Sequence, residues 1–285
     1  VTDPATGPIR IGCAGWNIPR HFAAAFPAAG THLQRYGERF NAVEINSSFY
    51  RPHRAATYRR WAAAVPEDFA FAVKAPRAIT HERRLRDAEA ALAMFLEQTD
   101  ELGDRRGPLL FQLPPGLVFD ARAASGFFDM LRTRFAGLVV CEPRHASWFT
   151  AAADRLLAER SIGRVIADPP PVPQAAEPGG WAGAAYVRLH GAPRIYYSSY
   201  DEAALTHLAR RLADIAAHGI AGWCIFDNTA LGAATGNALG LQDLLGTSRC
   251  SSAHAPGAHR RPSQASTVRN SETATDTSSI DPSGM

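Results

Sequence analysis

Lysine is almost absent from this chain. Its 285 residues carry 30 Lys and Arg together, yet only Lys74 is lysine. Arginine is the default cation, so a position that keeps lysine asks for a reason. Cysteine is scarce too: Cys13, Cys141, Cys224 and Cys250 are far apart and form no CxxC pair. That spacing excludes a cysteine-based zinc site or a disulfide framework and predicts a reduced, cytoplasmic protein. No stretch approaches the ~18 uncharged apolar residues of a spanning helix, so no membrane is expected. The opening VTDPATGPIRIG lacks the basic-then-apolar pattern of a secretory signal. Neither sign of charge dominates: 30 basic residues against 27 acidic give a net +3, which does not by itself argue for nucleic acid. No GxGxxG or P-loop follows the first strand-like segment, which counts against a doubly wound nucleotide-binding sheet.

What is present is apolar and periodic. Hydrophobic residues make up 46% of the chain, enough for a sizeable core. From Thr247 to Met285 the composition turns to Ser, Thr, Ala, Arg and Pro, with Val268, Ile280 and Met285 as the large apolar residues. Such a segment buries too little surface to offset its ordering entropy, so 247–285 is expected to be a disordered tail and 1–246 the folded domain. Within 1–246, strand-like runs at 9–15, 42–48, 69–75, 108–113, 138–142, 164–168, 185–190 and 223–228 alternate with helical patterns at 31–40, 54–64, 87–104, 121–135, 150–160, 201–218 and 237–245. A Pro/Gly-rich stretch, 169–183, stands where the sixth helix is due. This alternation predicts an α/β fold, a single (β/α)8 TIM-like barrel.

Strand side chains alternate between two faces. The aliphatic phase (Val43, Ile45, Phe71, Val73, Val139, Val187, Leu189) is expected to face the helices. The opposite phase then points Glu44, Asn46, Lys74, Gln112, Glu142, Asp168, Arg188 and His190 to the interior. Asn228 joins them if Trp223, Ile225 and Asp227 face outward. These residues fall late in their strands, at the end where barrel enzymes build their sites. Burying so many charges for stability alone is costly, which points to a functional pocket.

Glu44, Glu142, Lys74 and His190 are the candidate catalytic residues, the carboxylates and imidazole as acid–base groups. A lysine at such a mouth can form a Schiff base or bind an anion. A carboxylate beside it would keep the amine charged, which favours anion binding. Asn46, Gln112, Asp168, Arg188 and Asn228 are candidate substrate contacts. So are Gly12 and Trp16 in GCAGW, where a ligand could approach the backbone or stack. Arg144 in EPRHASW and Asn237, at an expected helix start after a Gly-rich loop, complete the set. A metal is not expected, because one His is in phase and Lys74 and Arg188 would repel a divalent ion.

Seven segments resemble the YecE-like family (domain of unknown function 72): IRIGCAGW, VEINSSFYRPHRAATYRRW, FAVKAPRAITHERRL, LLFQLPP, CEPRHASWF, YVRLHGAPRIYYSSY and WCIFDNTALGAATGNAL. They lie within a resemblance that spans 9–245. The resemblance implies a TIM barrel and no particular reaction. It departs at Leu231, where many members carry a polar residue, and the tail after Gly246 falls outside the pattern.

The residues thus predict a pocket for a small anionic, phosphorylated or sugar-like substrate. The reaction would be that of a hydrolase or a lyase/isomerase without an organic cofactor. Two alternatives stay open. One is a nucleic-acid-binding or processing protein using His53, Arg54, Arg59, Arg60, Arg77, Arg83 and Arg84. The other is a ligand sensor without turnover. Whether the chain is an enzyme, and its oligomeric state, are left open by the sequence.

Overall fold

In a computed structural model that describes residues 6–247, parallel strands alternate with helices. The strands are β1 (Ile9–Cys13), β2 (Ala42–Ile45), β3 (Ala70–Lys74), β4 (Arg106–Gln112), β5 (Val139–Glu142), β6 (Ile162–Arg164), β7 (Ile166–Asp168), β8 (Gly179–Gly180), β9 (Ala184–Leu189) and β10 (Ala221–Phe226). The helices are α1 (His32–Arg39), α2 (Ala55–Ala62), α3 (Glu89–Asp100), α4 (Ala121–Arg132), α5 (Ala151–Glu159), α6 (Glu202–Ala217) and α7 (Ala233–Leu244). Side-chain caps start several of them. Thr31 forms a capping box with Gln34, and Asp120, Thr150 and Asp201 each accept from an N–H of the first turn.

The strands form two sheets, ordered β1-β10-β9-β7 and β2-β3-β4-β5-β6-β8, parallel except for the short β6–β8 pair. Two seams join them. The Ala14–Glu44 bridge and the Gly15 N–H donated to the Glu44 carbonyl link the end of β1 to β2. At the other seam β6 and β7 are consecutive, separated by Val165: β6 pairs with β5 and β7 with β9. The first seam needs a glycine, because a Cβ on Gly12 would lie 2.0 Å from the Ala42 carbonyl oxygen.

Two apolar layers follow from the alternation. Val43, Ile45, Phe71, Val73, Val139, Val187 and Leu189 pack outward with the helices, as their phase predicts. Ala42, Ala70, Ala72, Leu110, Val140, Val165, Tyr186, Trp223 and Ile225 form a second, inner cluster. Small alanines on β2 and β3 make room for Tyr186 and Trp223, whose rings stack at 6.0 Å. Each large side chain buried in these layers contributes about 1.5–3 kcal/mol.

Three expectations need correcting. On β10, Trp223 and Ile225 face the inner cluster while Cys224 and Phe226 face the helices. Asp227 therefore points inward and Asn228 does not. On β7, Ile166 packs outward and Val165 inward, so Asp168 falls on the outer phase. Its carboxylate accepts from the Tyr200 hydroxyl at 2.9 Å. Finally, α7 begins at Ala233, behind Gly232 at φ 80°, so Asn237 lies inside the helix rather than at its start.

The Pro/Gly-rich stretch 169–183 carries a 3-10 turn and β8 in place of a helix. The expectation of disorder for 247–285 falls, from 248 onward, outside the described residues. Among the described residues no helix is long and apolar enough to cross a membrane.

Candidate functional site

The inner phase turns from apolar to charged at the C-terminal ends of the strands. Glu44, Lys74, Gln112, Glu142, Arg188, His190 and Asp227 occupy that level, and all but Gln112 are buried. Adjacent register brings Gln112 beside Glu142.

Arg188 is the hub and has no exposed surface. Its Nε donates to Glu44 Oε2 at 2.9 Å, and Nη2 donates to Glu44 Oε1 at 2.7 Å. Nη1 donates to Glu142 Oε2 at 2.7 Å, and Nη2 also reaches Asp227 Oδ2 at 3.1 Å. One guanidinium thus holds three carboxylates. Such fork geometry suits arginine and is closed to lysine.

The carboxylates are further satisfied. Tyr186 donates its hydroxyl to Glu44 Oε2 at 2.9 Å. Gln112 Nε2 donates to Glu142 Oε2 at 2.9 Å, and Arg144 Nη2 lies 2.6 Å from Glu142 Oε1. Burial alone would raise the Glu142 carboxyl, but Arg188, Arg144 and His190 hold it well below the usual carboxylate range. Burial likewise opposes ionisation of Asp227, and Arg188 and His190 outweigh it and lower that group. Burial works against the Arg188 charge, and Glu142, Glu44 and Asp227 reverse the effect and hold it well above its ordinary value.

His190 sits between two of these acids. Its Nδ1 is 3.0 Å from Asp227 Oδ2, and its Nε2 is 2.9 Å from Glu142 Oε1 and 2.6 Å from Arg144 Nη2. Facing Glu142, Nε2 must donate; facing Arg144, it must accept. It cannot do both, so a proton at this atom has two competing arrangements.

Lys74 stands apart. It is 5% exposed, and its Nζ lies 4.3 Å from the centre of the Phe49 ring. Among the described residues no hydrogen bond or ion pair reaches that Nζ, because Arg188 has taken the carboxylates. Burial and then Arg188 lower its proton affinity; Glu44, Asp227 and Glu142 oppose them without prevailing. The expectation that a neighbouring glutamate holds this amine charged is therefore not met by a direct pair.

Other predicted residues lie at the rim or elsewhere. Trp16 and Asn46 line a cleft of about 510 Å³ with Gly15, Ser47 and Tyr50. Trp16 packs edge-on against Trp61 at 5.0 Å. Asn46 Oδ1 and Arg144 Nε are buried without a partner. Gly12 lies in the β1–β2 seam. Asn228 and Asn237 bond each other, and Asn237 also ties down Ser199 and Tyr200, so the pair braces the loop after β9. In that loop Tyr196 adopts φ 69°, a left-handed conformation that a non-glycine residue holds only under constraint. Its ring packs edge-on to His190 at 6.2 Å. Two interior residues escaped the sequence reading. Tyr186 shares the phase of Arg188, which is the signal that points to it; Asp227 shares the inner phase of Trp223 and Ile225, against the outward phase expected for this strand.

Among the described residues no group of three or more His, Cys, Asp and Glu side chains is arranged to hold a metal ion. Fold and cluster together define an α/β protein of parallel strands whose buried charges gather at their C-terminal ends. The chain belongs to the family described as Protein of unknown function DUF72, which it matches over residues 10–261. That match runs past the boundary expected at 246. The UPF0759 protein YecE of Escherichia coli K12 is 32% identical over 178 residues, 60% of this chain and 62% of YecE. The chain thus spans less than two thirds of that curated relative. Crystal structures of DUF72 family proteins share the fold. One from Enterococcus faecalis V583 has a TM-score of 0.72 at 21% identity, covering 84% of this chain and 95% of that one. One from Thermotoga maritima MSB8 has a TM-score of 0.69 at 23% identity, covering 84% and 99%.

Proposed function

We propose that this protein is an enzyme on a closed (β/α)8 barrel. Its substrate is a small anionic, hydroxylated molecule of the phosphorylated or sugar-like class, bound at the strand C-termini. Closure is supported by the two seams and by an inner cluster drawn from around the ring. Three unbridged buried cysteines, Cys13, Cys141 and Cys224, are in keeping with a cytoplasmic location.

One observation carries the functional reading. Arg188 takes up Glu44, Glu142 and Asp227, while Arg144 Nε and Asn46 Oδ1 are buried without a partner among the described residues and Lys74 Nζ meets the Phe49 ring instead of a carboxylate. A guanidinium N–H, a buried amine and one amide oxygen suit a small anion bearing hydroxyls. The same observation favours a lyase or isomerase over a hydrolase. A carboxyl that serves a hydrolase as general acid needs a raised proton affinity, and one that serves as base or nucleophile needs a free lone pair. Glu142 faces four protein partners and is held low. Glu44 faces three contacts. His190 is then the group that moves a proton, with Asp227 orienting it. A nucleic-acid partner is less favoured. Arg59 is paired to Glu101 and Arg77 to Glu82, while Arg83 and Arg84 donate to backbone carbonyls.

The test is ligand-induced stabilisation of the full chain by phosphorylated sugars and 2-oxo acids, followed by turnover assays of the binders. The expected result is a rise in melting temperature that Arg144→Ala removes. No rise with any of them, together with salt-sensitive RNA or DNA binding, would turn the reading to nucleic acid. Binding without turnover would make the protein a sensor.

A further inference from the structure

We infer that the Lys74 amine is a covalent nucleophile, forming a Schiff base with the carbonyl carbon of a small anionic aldehyde or ketone. The inference rests on the pocket reading above and deepens it by naming the reacting atom. Lys74 is the one lysine in a chain that otherwise uses arginine for charge. Arginine could serve an anion equally well; only lysine has an amine that becomes a nucleophile on losing a proton. The residue ends β3, at the level of the buried acids. Its Nζ rests on the Phe49 ring instead of a carboxylate. The ring face attracts an ammonium, but it holds the charged form less firmly than a carboxylate paired to it would, so burial and the neighbouring Arg188 can still draw the proton off. Phe49 in turn packs edge-on to the His81 ring at 4.9 Å. Ser48 donates its hydroxyl to the Lys74 carbonyl at 2.7 Å, fixing the strand end from which the side chain projects.

The step balances without a co-reactant. The Nζ lone pair attacks the carbonyl carbon, a C–N bond forms, and the carbonyl oxygen leaves as water with the two amine hydrogens. The product is the imine, which takes up one proton to become an iminium ion. Glu44, Glu142 and Asp227 favour positive charge at Nζ, so the cation formed after attack meets a stabilising field that no single acid quenches by pairing. The iminium then draws electrons from the adjacent carbon, as carbon–carbon cleavage or isomerisation requires.

The test is reductive trapping. The full chain is incubated with glyoxylate or dihydroxyacetone phosphate plus borohydride near pH 7.5, then mapped by peptide mass spectrometry. The expected result is one adduct, the probe's mass less one oxygen, on the peptide holding Lys74. It should form faster than on a lysine in a short model peptide, since an amine whose pKa is lowered has more of its free form at neutral pH. Lys74→Arg should remove it, with circular dichroism confirming that the variant is folded. Labelling confined to the N-terminal amine, or labelling of Lys74 no faster than of the model peptide, overturns the inference. Dihydroxyacetone phosphate binding without reductant separates the two ideas. If it binds and Lys74 does not label, the nucleophile fails and the pocket stands. If it neither binds nor labels, both fail.

Discussion

Arg188 and Lys74 share one interior and meet opposite fates. Arg188 is surrounded by Glu44, Glu142 and Asp227 and is held charged by them. Lys74 faces the Phe49 ring and is pushed toward its neutral form, first by burial and then by Arg188 itself. The difference is one of bonding capacity. A planar guanidinium satisfies several carboxylates at once, and in doing so it leaves the second cation unpaired. The first cation is held by carboxylates on every side; the second meets none directly.

Removing the hub should have the largest effect. Arg188→Met strips Glu44 of its counter-charge and leaves Glu142 and Asp227 with only part of theirs, and should cost about 3–5 kcal/mol in urea unfolding. A loss as small as that of a surface variant would mean that water or side-chain rearrangement compensates, and the Arg188 half of the comparison would break.

Acid should reveal the same network. Glu142 and Asp227 are lowered in the folded protein, so the stability they contribute is fully present above their unfolded values near 4. It is lost as the pH falls from there through the depressed folded values. The urea midpoint should therefore hold from neutrality to about pH 5 and fall steeply below about 4. In Arg188→Met burial is less opposed, and this acid dependence should shrink or reverse.

Asp227→Asn removes one arm of the hub and keeps the shape. It should cost about 1–3 kcal/mol and disturb the pH profile of any turnover through His190. Asn228→Ala should leave that profile unmoved, although the loop it braces will loosen.

Lys74→Met should have the smallest effect on folding, in contrast to its arginine neighbour. The folded pKa of this amine is lowered, so its charge opposes folding while it is protonated, and that penalty fades as the pH rises toward the lysine range. Thermal scans at pH 7 should show the variant as stable as the wild type or more so. A clear loss of stability would reveal a missing partner for the ammonium. The exposed Arg59–Glu101 pair provides the baseline, and Arg59→Ala should produce no measurable change.

Strand alternation made much of this legible beforehand. On β2, β3 and β5 one phase is aliphatic and the other ends in a charge, so Glu44, Lys74 and Glu142 could be placed inward from the sequence alone. The strand WCIFDN offered no such contrast. Trp223 and Ile225 are as apolar as Cys224 and Phe226, and both Asp227 and Asn228 follow, so the pattern leaves the parity of this strand undetermined. On 164–168 the outward Arg164 is polar because it pairs with Asp154 of α5, which disguised the phase and misplaced Asp168. The pairing itself was beyond reach. Arg188 and Glu44 lie 144 residues apart, and nothing local says which of several buried acids an arginine will hold.

The most direct test of the account is the titration of Lys74. With one lysine in the chain, protein made with ¹³Cε-labelled lysine gives a single side-chain resonance to follow with pH. The account predicts a midpoint below the ordinary lysine value of about 10.4, and a further fall when Asp227→Asn removes one of the acids that favour the charge. A midpoint at or above the ordinary value would show that Lys74 has a carboxylate partner after all, and the contrast with Arg188 would be gone.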